Sequence, residues 1–275
     1  MNVDLHSHST VSDGLLRPAE VVGRAFRNGV HMLALTDHDE TSGLAEARAT
    51  AEELGLRFID GVEISVSWDE HTVHIVGLNL NPEEETLRNG LARIRSTRDR
   101  RAGNIAASLK QAGIPGALEG ALSFAGNPGL ISRAHFARFL VQHAYARDVK
   151  AVFEHYLVAG KPGYVPHQWA SLDEAIHWIH AGGGTAVIAH PGRYRFTRQE
   201  MRDFITRFRD LGGEGMEVVS GAHSPEQYRE YATLVSEFGL LASRASDFHG
   251  PKESRVDLGK LPELPANLKP VWQHW

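Results

Sequence analysis

Short apolar runs that alternate with helix-patterned segments are the feature that most constrains this chain. Residues 2–5 and 31–35 read as strands, with a helix over 18–28 between them that closes at Gly29. A helix over 44–54 stops at Gly55, and 56–64 and 72–78 read as further strands joined through 67–70. The same rhythm returns after Pro166, with helices over 172–180, 198–211 and 225–238 and strands over 185–189, 216–219 and 240–245. Strands separated by helices of this length build parallel βαβ units, and this many units predict a barrel. Between the two halves, helical stretches over 84–112, 133–143 and 150–157 follow one another without clear strands. The expected organisation is an α/β barrel from 1–81 and 166–275, interrupted by an inserted helical subdomain over 82–165.

The unusual polar residues fall at one kind of place on that map. His6 and His8 follow the first strand, where residues two apart project from the same face, and Asp13 comes soon after. Asp37 and His38 follow the second strand, Glu63 ends the third and His74 lies in the fourth. His190 ends the strand over 185–189, and Asp247 and His249 end the last. The C-terminal ends of parallel barrel strands share one rim, where catalytic groups collect. With no cysteine in the chain, a metal there must be held by nitrogen and oxygen. A single histidine among 16 is more often a surface or core residue, so the joint pattern carries the argument. An aspartate at a strand end is also a common helix cap, a reading open for Asp39 or Ser42.

The net charge of −5 argues against a protein that coats nucleic acid. Residues 81–165 nevertheless carry 12 Lys and Arg against 7 Asp and Glu, so a basic segment sits inside an acidic chain and points to a local anionic ligand. Arg88, Arg93, Arg95, Arg98, Arg100 and Arg101 cluster at its start. Arg93, Arg100, Arg101 and Asn104 sit at near-helical intervals, with Leu91, Ile94, Ile105 and Leu109 as the buried stripe. A solvated helix face is an equally ordinary role for most of these arginines, but a guanidinium face at the barrel mouth would grip a phosphate. In "ISRAHFARF", Ser132 can cap a helix while Arg133 and His135 project from its first turn. The N-terminus has no basic, apolar leader pattern and no apolar run is long enough to span a bilayer, which leads to the expectation of a cytoplasmic protein without membrane or protein partners.

The stretches "DLHSHS", "TDHD", "GVEIS", "HIVG", "IAHP" and "SDFH" resemble the polymerase and histidinol phosphatase (PHP) family of metal-dependent phosphoesterases. The resemblance implies a distorted (β/α)7 TIM-like barrel with two or three divalent metal ions, manganese foremost and zinc or iron as alternatives. It assigns His6, His8, Glu63 and Asp247 to one ion, Glu63 as a bridge with His74 and His190 to a second, and Asp13, His38 and His249 to a third. Asp13, His38, Glu63 and Asp247 would form the catalytic core, with Asp4 and Asp37 orienting imidazoles. Clustered cations neutralise phosphoryl charge and lower the pKa of a water, so no Ser or Cys nucleophile is required. Arg101, Asn104, Arg133 and His135 would bind substrate, although Ala134 replaces a proline common at that point in the family. Stand-alone members resembling this chain are 3′,5′-nucleotide bisphosphate phosphatases, some of which trim RNA. The implied reaction removes the 3′-phosphate of a nucleoside 3′,5′-bisphosphate, giving the 5′-monophosphate. Alternatives are a 5′-3′ exoribonuclease on short RNA, a histidinol phosphatase, and a non-catalytic regulatory PHP module. The local positive charge argues against a cationic amino alcohol as substrate.

Overall fold

The computed structural model describes residues 1–275. Strands β1 (Val3–Asp4), β2 (Met32–Leu35), β3 (Arg57–Trp68), β4 (His71–Leu78), β5 (Thr185–Ile188), β6 (Gly215–Ser220) and β7 (Leu241–Ala245) form one sheet in chain order. The backbone beyond β1 meets β7 through Leu5 N to Arg244 O at 3.0 Å and His8 N to Phe248 O at 2.8 Å, so the sheet curls into a nearly closed, distorted TIM-like barrel. Val3, Met32, Val76 and Val187 pack in one of its buried clusters.

Helices α1 (Pro18–Arg27) and α2 (Leu44–Leu54) follow β1 and β2. After β4 come α3 (Glu85–Gln111), α4 (Ala117–Leu122), α5 (Arg133–Gln142) and α6 (Val149–Val152), the last running into a π-helical turn over Phe153–Leu157. The rhythm then resumes with α7 (Leu172–Ala181), α8 (Arg198–Asp210) and α9 (Pro225–Phe238). Reciprocal caps start these three: Ser171 with Glu174, Thr197 with Glu200 and Ser224 with Gln227. None of the helices is long and apolar enough to cross a membrane.

β4 runs antiparallel to both β3 and β5, a reversal within the otherwise parallel βαβ rhythm. Only Asp69 and Glu70 separate β3 from β4, and Asp69 takes a left-handed φ of 49°. A two-residue link permits a hairpin but no helical crossover. The reversal puts the start of β4, not its end, at the rim where the other strands finish. His74 reaches the rim for that reason, and Glu63 lies within the long β3 rather than at its end.

The buried side chains of α3 are divided between two cores. Leu87, Leu91 and Ile94 join the barrel cluster with Trp178 and Ile179, whereas Ala102, Ile105 and Leu109 join Phe136, Leu140 and Leu157. We propose 82–165 as the extent of the insertion. Gly90 on α3 lies against the Trp178 ring so closely that an added Cβ would overlap it. Gly90→Ala is therefore expected to destabilise the protein by about 1–3 kcal/mol despite the gain in helix propensity, as urea unfolding would register.

Candidate active site

β1 delivers His6 and His8 to the rim, and their Nε2 atoms lie 3.1 Å apart. Each stands 3.2 Å from Glu63 Oε2, and 3.6 and 3.3 Å from Asp247 Oδ1. The other Glu63 oxygen, Oε1, lies 2.8 Å from both His74 Nδ1 and His190 Nε2. On the far side, Asp13 Oδ2 is 3.8 Å from His38 Nε2, and Asp13 Oδ1 is 3.5 Å from His249 Nε2. His38 Nδ1 also comes to 3.0 Å from Glu63 Oε2. Glu63 thus stands within a ring of six imidazoles drawn from five segments of the chain.

Several atoms in this ring are buried yet lack a hydrogen-bond partner: Asp13 Oδ1, His38 Nδ1, Glu63 Oε2 and Asp247 Oδ1. Buried polar atoms are ordinarily satisfied. Here they approach one another at short range without hydrogen-bond geometry, as ligand atoms do when a cation shares them. Burial alone would raise the Glu63 pKa, but His38, His74 and His6 hold it well below the usual carboxylate range. Asp247 is likewise held low by Arg193 and His6 against its burial. Burial disfavours the His8 imidazolium, yet Asp247 and Glu63 push its pKa up to about 10. The cluster demands positive charge, and its nitrogen and oxygen donors fit divalent cations.

A family model described as "PHP domain" matches residues 4–181. The chain belongs to the PHP domain family. It is 50% identical over 272 residues to a 3′,5′-nucleoside bisphosphate phosphatase of Chromobacterium violaceum, covering 99% of this chain and 95% of that one. It is 45% identical over 274 residues to the 5′-3′ exoribonuclease Rnm of Salmonella typhimurium, covering 99% and 93%. Among solved structures, an amidohydrolase from Chromobacterium violaceum with bound sulfate and no metal matches with a TM-score of 0.97 at 50% identity, over 99% of this chain and 95% of that one.

In this PHP domain Asp4 makes no contact with an imidazole, and Asp37 reaches His8 through Ser12, whose Oγ lies 3.5 Å from His8 Nδ1. Asp4 accepts from Ser246 N and Gly259 N, both at 2.8 Å, and ties β1 to the segment after β7. Asp37 accepts from Ser9 N and from the hydroxyls of Ser9 and Ser12, which fixes the loop after His8. A further carboxylate that touches an imidazole directly is Glu217 on β6, which the sequence reading passes over. Its Oε1 lies 2.6 Å from His6 Nδ1 and its Oε2 accepts from His190 N at 2.8 Å. That contact leaves His6 Nε2 facing the ring. Glu217→Gln is expected to weaken metal binding or turnover about 10- to 100-fold, measured by metal content and kcat. A lone glutamate inside the apolar strand "GMEVVS" is the signal that could have found it.

Above the ring, a cavity of about 800 Å³ extends under the insertion. Arg98, Arg101, Arg133, Trp169 and Arg193 line it. Arg98 and Arg101 both stack over the Trp169 ring, at 4.8 and 4.9 Å. Arg98 is paired with Asp39, and Asp39 also accepts from Ser65, so neither Asp39 nor Ser42 caps α2, whose N-cap is Gly43. Arg101 and Arg133 have no carboxylate partner; Arg133 donates only to Leu157 O, at 3.3 Å. Burial, then the charges of Arg133 and Arg98, push the Arg101 pKa down to about 9.

The arginine face is not the one the helical spacing suggests. Arg93 is exposed and pairs with Glu174 at 2.8 Å, Arg100 is exposed, and Arg98 turns inward with Arg101. Asn104 is exposed and outside the cavity. His135 is buried beneath α5, where its Nδ1 accepts from Ser132 N at 3.0 Å. Arg193, which the sequence reading omits, pairs with Asp247 from the loop after β5.

Proposed function

We propose that the protein is a cytoplasmic, manganese-dependent phosphomonoesterase that removes the 3′-phosphate of nucleoside 3′,5′-bisphosphates, leaving the 5′-monophosphate. The observation that carries this reading is the pair of carboxylate-free guanidiniums in the same cavity as the imidazole ring, Arg101 buried and Arg133 half-buried. Positive charge drawn away from water without a partner is costly, so these two groups call for an anion beside the ring. A bisphosphate supplies both. The 50% identity to a 3′,5′-nucleoside bisphosphate phosphatase over nearly the whole of both chains supports the assignment.

In this reading His6, His8, Glu63 and Asp247 hold one cation, Glu63, His74 and His190 a second, and Asp13, His38 and His249 a third. The bound cations supply phosphoryl charge neutralisation and an activated water. The protein's own groups hold the geometry around the reacting phosphate. Arg101 and Arg133 fix the 5′-phosphate, which brings the 3′-phosphate over the ring, and Arg193 is placed to meet phosphoryl oxygens beside Asp247. Trp169 and the insertion restrict water above the site.

A second reading is favoured by the identity to an exoribonuclease. A 5′-phosphorylated RNA presents the same 5′-phosphate and the same O3′–P bond as a bisphosphate, so one site can cut both. The test is phosphate and nucleotide release with added manganese from adenosine 3′,5′-bisphosphate, a short 5′-phosphorylated RNA and histidinol phosphate. A preference for the bisphosphate with AMP as product is expected. Preference for histidinol phosphate, or no turnover of any of them, would overturn the proposal.

A further inference from the structure

The loop that carries Asp13 is held from two sides, by Asp37 of the barrel through Ser9 and Ser12 and by the insertion through α5. Ser132, the N-cap of α5, donates from Oγ to Asp13 Oδ2 at 3.0 Å, and the same oxygen accepts from Ala134 N at 3.1 Å. A hydroxyl has one donor and two acceptor positions, so one atom can join the helix to the carboxylate. Arg138, six residues further on, donates to Asp13 O at 2.6 Å and is itself gripped by both oxygens of Glu253 at 2.8 Å. Asp13 Oδ1 is left without a partner, 3.5 Å from His249 and 3.9 Å from His8. Next to Ser132 in the chain, Arg133 faces the cavity.

We propose that Ser132 is a positioning residue that couples the phosphate held by Arg133 to the cation held by Asp13, His38 and His249, so that nucleotide and cation bind cooperatively. The inference rests on the nucleotide reading above. A phosphate on Arg133 orders the first turn of α5, and the Ser132 hydroxyl transmits that order to the one carboxylate of the third ligand set. By linkage, the cation raises nucleotide affinity by the same factor.

The test titrates Mn2+ into the full-length protein, following the electron paramagnetic resonance signal of the free ion, with and without saturating AMP. AMP is expected to tighten the weakest class of Mn2+ site by roughly 5- to 20-fold. Ser132→Gly should reduce that gain to less than about twofold, because glycine is nearly as good an N-cap but has no hydroxyl. Ser132→Thr keeps both bonds and should restore it. Full coupling in Ser132→Gly would mean that simple attraction between ions suffices and would overturn the proposal, as would AMP binding that leaves Mn2+ affinity unchanged in the wild type. Failure of AMP to bind any variant would overturn the nucleotide reading together with this one.

Discussion

Glu63→Gln is expected to lower kcat by at least about 10³-fold and to reduce bound metal by one ion or more, measured by turnover and by elemental analysis of the purified protein. The carboxylate is fully buried, and its two oxygens face different groups of imidazoles, His74 and His190 on one side and His6, His8 and His38 on the other. Glutamine keeps the volume but offers one acceptor and one donor amide. The donor would point at imidazole nitrogens and at any shared cation, and the negative charge that balances the cluster would be gone. Retained metal content with full activity would show that Glu63 bridges nothing.

Replacing Arg101 and Arg133 together with alanine is expected to lower kcat/KM for adenosine 3′,5′-bisphosphate by roughly 10³-fold, with each single change accounting for about 10- to 100-fold. Adenosine 3′-monophosphate lacks the distal phosphate, so its hydrolysis should change by less than about twofold. The contrast between the two substrates separates loss of a phosphate anchor from general damage to the site. The two guanidiniums repel each other and are near neighbours, so the double variant need not equal the product of the singles. Equal losses on both substrates would place the arginines outside 5′-phosphate recognition.

The rhythm of strands and helices, and the gathering of histidines and acids at their ends, could be read in the chain because both are periodic or local. Strand direction could not, since an apolar run looks the same in either sense. The clue to β4 was the length of its link: residues 67–70 are too few for a crossover helix, and Asp69 suits a tight turn. Glu217 was passed over because its strand is buried on both faces, so no alternation marks it as a site residue. The arginines of α3 were chosen by spacing alone, and spacing does not tell which side of a helix meets the barrel. Trp169 and Glu174 decide that, by stacking Arg98 and Arg101 inward and drawing Arg93 outward. His135 looked like a first-turn ligand for an anion, but its proximity to its own helix cap satisfied it first.

Because β4 runs backwards, the chain leaves it at the floor of the barrel, and the 27-residue α3 has to climb the outer wall to reach the mouth. At 1.5 Å per residue the helix is about 40 Å long, with Leu87 and Leu91 near its foot and Arg98 and Arg101 at the lip about 20–24 Å up, halfway along it. A rigid climb of this kind makes the depth and the handedness of the cavity inseparable. One residue added below Arg98 would lift both arginines by about 1.5 Å and swing them by roughly 100°, off Trp169 and out of the pocket. Only whole-turn changes, near seven residues for two turns, would return them to the same bearing. In this chain the reach of the pocket is therefore set in steps of whole helical turns rather than single residues.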